Sequence, residues 1–280
     1  MPEGHTIHRL ARCQRADLQG RVVTTSSPQG TGDAPVRASL AAARAAQELD
    51  GRRLERIDAY GKHLLQRYEG DLTLHVHLGL FGRFVRRPHP DATPPRPTCR
   101  LRVDAGDVAW DLSGAVASTL LEPPEEDALL ARLGPDPLRA DADPARFTAA
   151  LVRRRISIAA ALMDQSVLAG VGNVYRAESL FAVGLDPFTP ARDLTPDEVT
   201  ELWDVLTAQL RDGERAGKIV TVPADEAGGV PRSKLRGRDR VQVYRRDTCR
   251  RCGGPVRQQP LTGRTLWWCP ACQPARSSES

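Results

Sequence analysis

The chain has 280 residues, enough to bury one to two domains and a small appendage. Its net charge of +5 permits a polyanionic partner, while a polar start and no apolar run near ~18 residues predict neither a secretory leader nor a membrane span. Without a secretion signal the six cysteines argue against a disulfide framework, and Cys13 and Cys99 are expected as free structural thiols.

The chain begins Met1-Pro2-Glu3-Gly4-His5-Thr6. Pro2 is small enough for Met1 to be removed, which would leave a secondary amine able to attack C1′ of a sugar and form a cationic iminium. Glu3 is placed to move a proton at that sugar. The plainer reading is a helix start, with Pro at N1 and an acid in the first turn; taken alone, the hexamer favours it. Ile7, Leu10, Ala11 and Leu18 continue at helical spacing over 3–18, and Gly20 stops the pattern. The positive end of that helix disfavours an added proton on the amine and favours nearby phosphate. His5 and His8 are expected in surface or packing roles.

Short alternating segments follow at 21–25, 54–59, 63–68, 72–78, 81–86, 100–103 and 108–111, the pattern of a sandwich or barrel. The Ala-rich stretch 34–47 reads as a short helix or loop insertion. Five prolines within 88–97 predict an exposed connection. Gly61-Lys62 sits at a turn, from which a lysine reaches a phosphate or a sugar. His75 and His77 share a strand face that could hold a metal, although strand histidines more often hydrogen-bond. Leu80-Phe81, between Gly79 and Gly82, reads equally as an exposed apolar wedge and as ordinary core.

Residues 134–144, rich in Gly, Pro, Asp and Ala, read as an interdomain linker. Helices are predicted over 145–155 and from 158 to 163, and Asn173 is predicted as the N-cap of a helix running to 183. The Gly170-Val171-Gly172 turn before it is a candidate phosphate seat, although helix–turn–helix corners also use glycine for steric reasons. Thr195-Pro196-Asp197-Glu198 is a capping box that launches a stripe of Val199, Leu202, Trp203, Leu206 and Leu210. Residues 223–240 read as a solvated, flexible basic loop.

The tail carries Cys249-x2-Cys252 and Cys269-x2-Cys272, sixteen residues apart. Two thiolate pairs at this spacing predict one closed, structural zinc site, and the metal supplies the folding free energy of so small an element. Segments 256–260 and 265–269 read as a hairpin with Arg264 just beyond its tip. From Arg232 to Arg276 there are 12 Lys or Arg against Asp239 and Asp247, which suits a phosphate-binding surface.

Taken together, these motifs resemble the formamidopyrimidine-DNA glycosylase/endonuclease VIII family of bifunctional base-excision repair enzymes. The likeness runs nearly end to end: Met1-Pro2-Glu3-Gly4, Gly61-Lys62, Met163-Asp164-Gln165 with Ala169-Gly170-Val171-Gly172-Asn173, and the four cysteines with Arg264 and Gln273. The resemblance implies a multi-domain α+β chain: an N-terminal β-sandwich with a leading helix (1–134), a linker (135–143), a helix–two-turn–helix domain (144–240) and a C-terminal β-hairpin zinc finger (241–280). It makes Pro2 the Schiff-base nucleophile and Glu3 the general acid/base. Lys62, Asn173 and Arg264 would grip phosphates around an extruded nucleotide, and Glu178 matches an acidic residue of the helix after the turn. His77, Leu80 and Phe81 join them as expected DNA contacts. Thr6 stands where many members have a second glutamate. Trp110-Asp111-Leu112-Ser113-Gly114 replaces a loop that carries Arg and Phe in formamidopyrimidine glycosylases, whereas His77-Leu78-Gly79-Leu80 resembles that branch. With Pro-Glu-Gly at the start, the chain falls on the endonuclease VIII-like side.

The expected activity is removal of oxidised bases, pyrimidines before 8-oxoguanine, followed by β/δ-elimination. The expected partner is damaged DNA, bound by a cytoplasmic monomer with one zinc ion and no organic cofactor. A non-catalytic lesion-binding protein would not need the Pro2 amine, and a zinc hydrolase would need an open metal position and a His-Glu-x-x-His motif, which the sequence lacks.

Overall fold

The computed structural model describes residues 2–28, 37–90 and 94–276. The expectations for Met1, for the start of the Ala-rich stretch and for the middle of the proline-rich connection lie outside the described residues. The chain forms two compact units, Met1–Arg132 and Leu133–Ser280. Among the described residues no helix is long and apolar enough to cross a membrane.

The first unit opens with α1 (Gly4–Leu18), β1 (Thr24–Ser26) and α2 (Arg37–Leu49). Seven strands follow: β2 (Leu54–Tyr60), β3 (His63–Tyr68), β4 (Leu72–His77), β5 (Arg83–Pro88), β6 (Leu101–Asp104), β7 (Val108–Ser113) and β8 (Ala117–Leu121). They build two four-stranded sheets, β1-β6-β7-β5 and β2-β3-β4-β8, so the architecture is a sandwich. The apolar stripe of α1, with Ile7, Ala11 and Leu18, packs into one core with Ile57, Leu64, Val76, Val103, Trp110 and Leu112. The Ala-rich stretch is helical as α2 from Arg37 onward. Strand β8 and helix α3 (Pro123–Ala131) went unread, since Ala-Ser-Thr-Leu-Leu has no alternation and is a strand only through its pairing with β4. Helix α3 did carry a signal, a capping box between Glu122 and Glu125 around two prolines.

Two crossings between the sheets meet at one end of this unit. Residues 78–82 lead from β4 to β5, and residues 114–116 lead from β7 to β8. They are joined where the Val116 amide donates to the His77 carbonyl at 3.0 Å. Gly79 (φ +65°) is required there, because a Cβ would lie 2.2 Å from Val116 Cγ2.

The second unit holds α4 (Pro144–Leu151), α5 (Ile158–Ala161), α6 (Asn173–Ala182), α7 (Pro196–Ala216) and the hairpin β9 (Arg257–Leu261) and β10 (Arg264–Trp268). Helix α7 starts at the expected capping box of Thr195 and Glu198. Its stripe packs with Phe147, Leu151, Ile158, Leu168, Tyr175 and Leu180.

Three local expectations are corrected. The interdomain linker expected over 134–144 is packed at its start, where residues 133–137 are buried: the Gly134 amide donates to Gln165 O, and Pro135 O accepts from the Ala169 amide. Glycine permits that approach, since a Cβ on Gly134 would lie 2.5 Å from the Val167 carbonyl carbon. The N-cap of α6 is Gly172, and Asn173 is the first helical residue. The stretch 223–240 is built of three short 3-10 turns over a small core of Val220, Val222, Ala227 and Leu235, whose irregular spacing is hidden among the basic residues.

Candidate active site

Helix α1 runs antiparallel to β2. The Gly20 amide donates to Leu54 O, and the Arg15 guanidinium donates to Ile57 O at 2.9 Å. Eleven helical residues back from Arg15 is about 16 Å, and five strand residues on from Ile57 is about 17 Å. The start of α1 therefore lies at the same end of the unit as the Gly61-Lys62 turn. Glu3 is the N-cap of α1, fully buried, with extended backbone (φ −123°), and its carbonyl accepts from the Thr6 amide at 2.9 Å. Burying a carboxylate at a helix N-terminus sets it against the positive end of the dipole. Pro2 precedes it directly.

Lys62 shares that end with His63, His75 and His77. The register pairs His63 with His77, and a 2.8 Å hydrogen bond joins His63 Nδ1 to His75 Nε2. Of the strand pair His75 and His77, His75 hydrogen-bonds, and its partner is His63 on β3. Burial pushes His63 down to about 3 and His75 to about 4, with neighbouring rings adding to it, and burial also lowers His77. The Lys62 charge adds to the fall on His63 and His77. Burial thus favours the neutral form of all three rings.

These folded values lie below the ordinary 6.5 of histidine, so the unfolded chain takes up protons first on acidification. Stability carried by this cluster is present above about pH 6.5 and is lost as pH falls toward about 4, at about 3 kcal/mol for one such ring at the acid limit. The urea midpoint of the protein is expected to fall between about pH 7 and about pH 5, and His63→Gln to flatten that fall. An unchanged pH slope in the variant would contradict the cluster's role.

The 78–82 turn carries the two apolar side chains whose role the sequence left open. Phe81 is 82 % exposed and Leu80 49 %, which excludes a core role for both. Val116, from the facing 114–116 crossing, is 68 % exposed and completes an apolar tip of three residues. Nothing in the sequence marked Val116, because its position depends on two crossings distant in sequence.

The site residues of the second unit are organised by α6. Thr262 and Gly263 both have positive φ, +52° and +70°, and Leu261 pairs with Arg264 across them. This two-residue turn sets Arg264, exposed, at the start of β10. Asn173 Nδ2 donates to Thr265 O at 2.9 Å, so the first turn of α6 and the Arg264 strand are held together. Arg176, fully buried, donates to Thr262 Oγ1 at 3.2 Å, to Thr265 O at 3.2 Å and to Asn173 Oδ1. Sequence reading passed it over, although its i,i+3 spacing from Asn173 on one helix face was visible. Two residues on, the buried Glu178 carboxylate accepts from the amides of Gln242, Val243 and Tyr244 at 2.7–2.9 Å and from Thr221 Oγ1. Burial pushes its pKa up against the pull of those donors. Glu178 thereby anchors the chain that leads into the cysteines, and Phe181 and Ala177 pack against Cys249 and Cys269.

The four cysteine sulfurs lie within 4.8 Å of one another. Cys249 to Cys272 is 3.9 Å and Cys252 to Cys269 is 3.5 Å, around the roughly 3.8 Å that tetrahedral zinc with ~2.3 Å bonds would impose. Among the described residues no other group of three or more potential ligands converges in this way. Gln273 clamps the element, its side chain accepting from the Cys269 amide at 3.1 Å and donating to Leu185 O at 2.9 Å.

Comparison with known proteins agrees with this arrangement. The formamidopyrimidine-DNA glycosylase N-terminal domain matches residues 1–112, and the H2TH domain of the same enzyme matches residues 133–223. Endonuclease 8 1 of Mycobacterium tuberculosis is 42 % identical over 278 residues, covering 98 % of this chain and all of that protein. Formamidopyrimidine-DNA glycosylase of Laribacter hongkongensis is 34 % identical over 280 residues, covering 98 % of both chains. The Lactococcus lactis formamidopyrimidine-DNA glycosylase, solved with DNA containing an abasic site, shares the fold at a TM-score of 0.78 and 21 % identity, over 98 % of this chain and all of that one. With its sandwich, its helical unit and its four-cysteine hairpin, the chain belongs to the formamidopyrimidine-DNA glycosylase/endonuclease 8 family of DNA glycosylases.

Proposed function

We propose that this chain is a bifunctional DNA glycosylase/AP lyase of base excision repair that acts on damaged DNA and prefers oxidised pyrimidines. The observation that carries the reading is the shared end of the first unit, where Pro2-Glu3 at the positive end of α1, Lys62 and the exposed Leu80-Phe81 tip come together. With Met1 removed, the Pro2 nitrogen attacks C1′, the bond to the damaged base breaks and the base leaves with the proton shed by the amine; Glu3 then protonates O4′ as the C1′–O4′ bond opens to the iminium. The C1′ iminium then takes up the electron pair as a proton leaves C2′ and the 3′ phosphate departs; a second elimination releases the 5′ phosphate, and water frees Pro2. On the first unit Lys62 supplies a donor for a DNA phosphate, with His77 as a neutral neighbour; on the second, Asn173 and Arg264 supply donors for phosphates of the DNA.

Cys249, Cys252, Cys269 and Cys272 would hold one zinc ion, whose contribution is to fold the hairpin that presents Arg264. Rotating a nucleotide out of the stack costs a few kcal/mol, and Leu80 and Phe81, joined by Val116, offset that cost by filling the vacated space. The second crossing has no Arg or Phe to contact an orphaned cytosine, so discrimination rests on the flipped base and on how readily it unstacks. The higher identity to an endonuclease 8 than to a formamidopyrimidine-DNA glycosylase supports the same branch. The His77-Leu78-Gly79-Leu80 run favours the second reading, specificity for 8-oxoguanine. Single-turnover excision separates the two: thymine glycol is expected to leave faster than 8-oxoguanine opposite cytosine, and the reverse order would establish the second reading.

A further inference from the structure

A pocket of about 200 Å³ lies on the outer face of the β1-β6-β7-β5 sheet. Phe84, Trp110 and Leu112 point into the core, so the alternating residues Arg83 and Arg87 of β5 and Asp111 and Ser113 of β7 face outward into this pocket. Val85, Arg96 and Cys99 complete it. Its charge is unbalanced. The Asp111 carboxylate is taken up by Arg102 Nε at 2.7 Å and Arg87 Nε at 3.0 Å. Among the described residues no ion pair reaches Arg83 or Arg96. Burial pushes the Cys99 thiol up to about 12, so no thiolate offsets the guanidinium groups at neutral pH.

The position of the pocket identifies its ligand. Arg83 pairs with Ser113 at the sheet end that abuts the apolar tip, two residues after Phe81. Lys62 and His77 belong to the other sheet, and the 78–82 crossing stands between the two. On the reading of the tip given above, Lys62 is assigned to the damaged strand, which leaves the Arg83 side of the crossing for the intact strand. We propose that the pocket seats a phosphodiester of the undamaged strand, held by the Arg83 and Arg96 guanidinium groups and the Ser113 hydroxyl. This rests on the reading of the tip given above. Free inorganic phosphate shares the chemistry and is the other source to be distinguished.

The test is the salt dependence of binding by Arg83→Gln/Arg96→Gln, measured on a lesion duplex and on the lesion strand alone. Arg87 is left in place because it holds Asp111. The log–log slope on the duplex is expected to fall by about one unit, the signature of one lost phosphate contact, with the single-strand slope unchanged. Arg83→Lys, which keeps the charge, should retain the wild-type duplex slope. An unaltered duplex slope in the double variant, or equal losses on both DNAs, overturns the proposal. Inorganic phosphate that raises the melting temperature of the wild type but not of the double variant, with duplex slopes equal, assigns the pocket to the free ion and also overturns it. Failure of the underlying reading shows separately, as wild-type protein that neither cleaves a damaged duplex nor is trapped on it by borohydride.

Discussion

Glu3→Gln is expected to lower removal of damaged bases by about 10²- to 10⁴-fold, the range for loss of a positioned general acid. Pro2→Gly is expected to lose most of the borohydride-trapped complex on the same DNA. The two effects have different origins. Glu3 is buried as the N-cap of α1, so its carboxylate is held next to Pro2, where the proposed scheme puts the sugar, and the amide in Gln keeps the shape without the proton. Glycine at position 2 leaves a primary amine with a looser backbone, which still forms an imine but without the ring that holds the nitrogen in place. Gel quantification of trapped complex, together with base release, measures both. Full activity in a protein that still carries Met1 would contradict the scheme, since the Pro2 nitrogen would then be an amide.

Cys249→Ser is expected to remove the zinc, unfold residues 256–269 and cost most of the DNA affinity while leaving the Pro2 amine intact. The hairpin cannot stand by itself: Leu266 is its one fully buried apolar strand residue, and the packing of Cys249 and Cys269 on Phe181 depends on the cysteines being drawn together. Apparent zinc binding free energies of about 10 kcal/mol or more in comparable elements exceed anything so small a core supplies. Metal content per chain should drop from one to none, with hydrogen exchange rising across both strands. A metal-free variant with wild-type affinity for damaged DNA would show that the hairpin neither needs the ion nor grips the strand.

The chemistry of this chain was legible where it depends on local spacing. Two Cys-x-x-Cys pairs, the Thr195–Glu198 capping box and the Gly61-Lys62 turn each carry their geometry within a few residues, and the structure places them accordingly. Apart from β8 the sandwich strands were found, most of their ends within two residues and the start of β1 three residues off, because alternation fixes a face more firmly than an end. What depends on distant segments was hidden. Val116 gains its place from the β4 and β7 crossings meeting, and Arg176 serves as a clamp because a hairpin some 85 residues later turns back over it. Residues 133–137 looked like a linker from their glycine and prolines, yet those same residues allow the close packing under 165–169. The stretch 223–240 looked solvated from its charge, whereas the amides that follow it are gathered by Glu178, a single carboxylate some 64 residues earlier in the chain.

The central claim, that the reaction runs through the secondary amine of Pro2, is tested most directly by locating the covalent bond. Protein trapped by borohydride on abasic-site DNA is digested with a protease and a nuclease, and the modified peptide is sequenced by mass spectrometry. The sugar remnant is predicted on the nitrogen of Pro2, in a peptide that begins with Pro2-Glu3-Gly4. A remnant on the side chain of Lys62 or any other lysine, with Met1 still in place, would contradict the account.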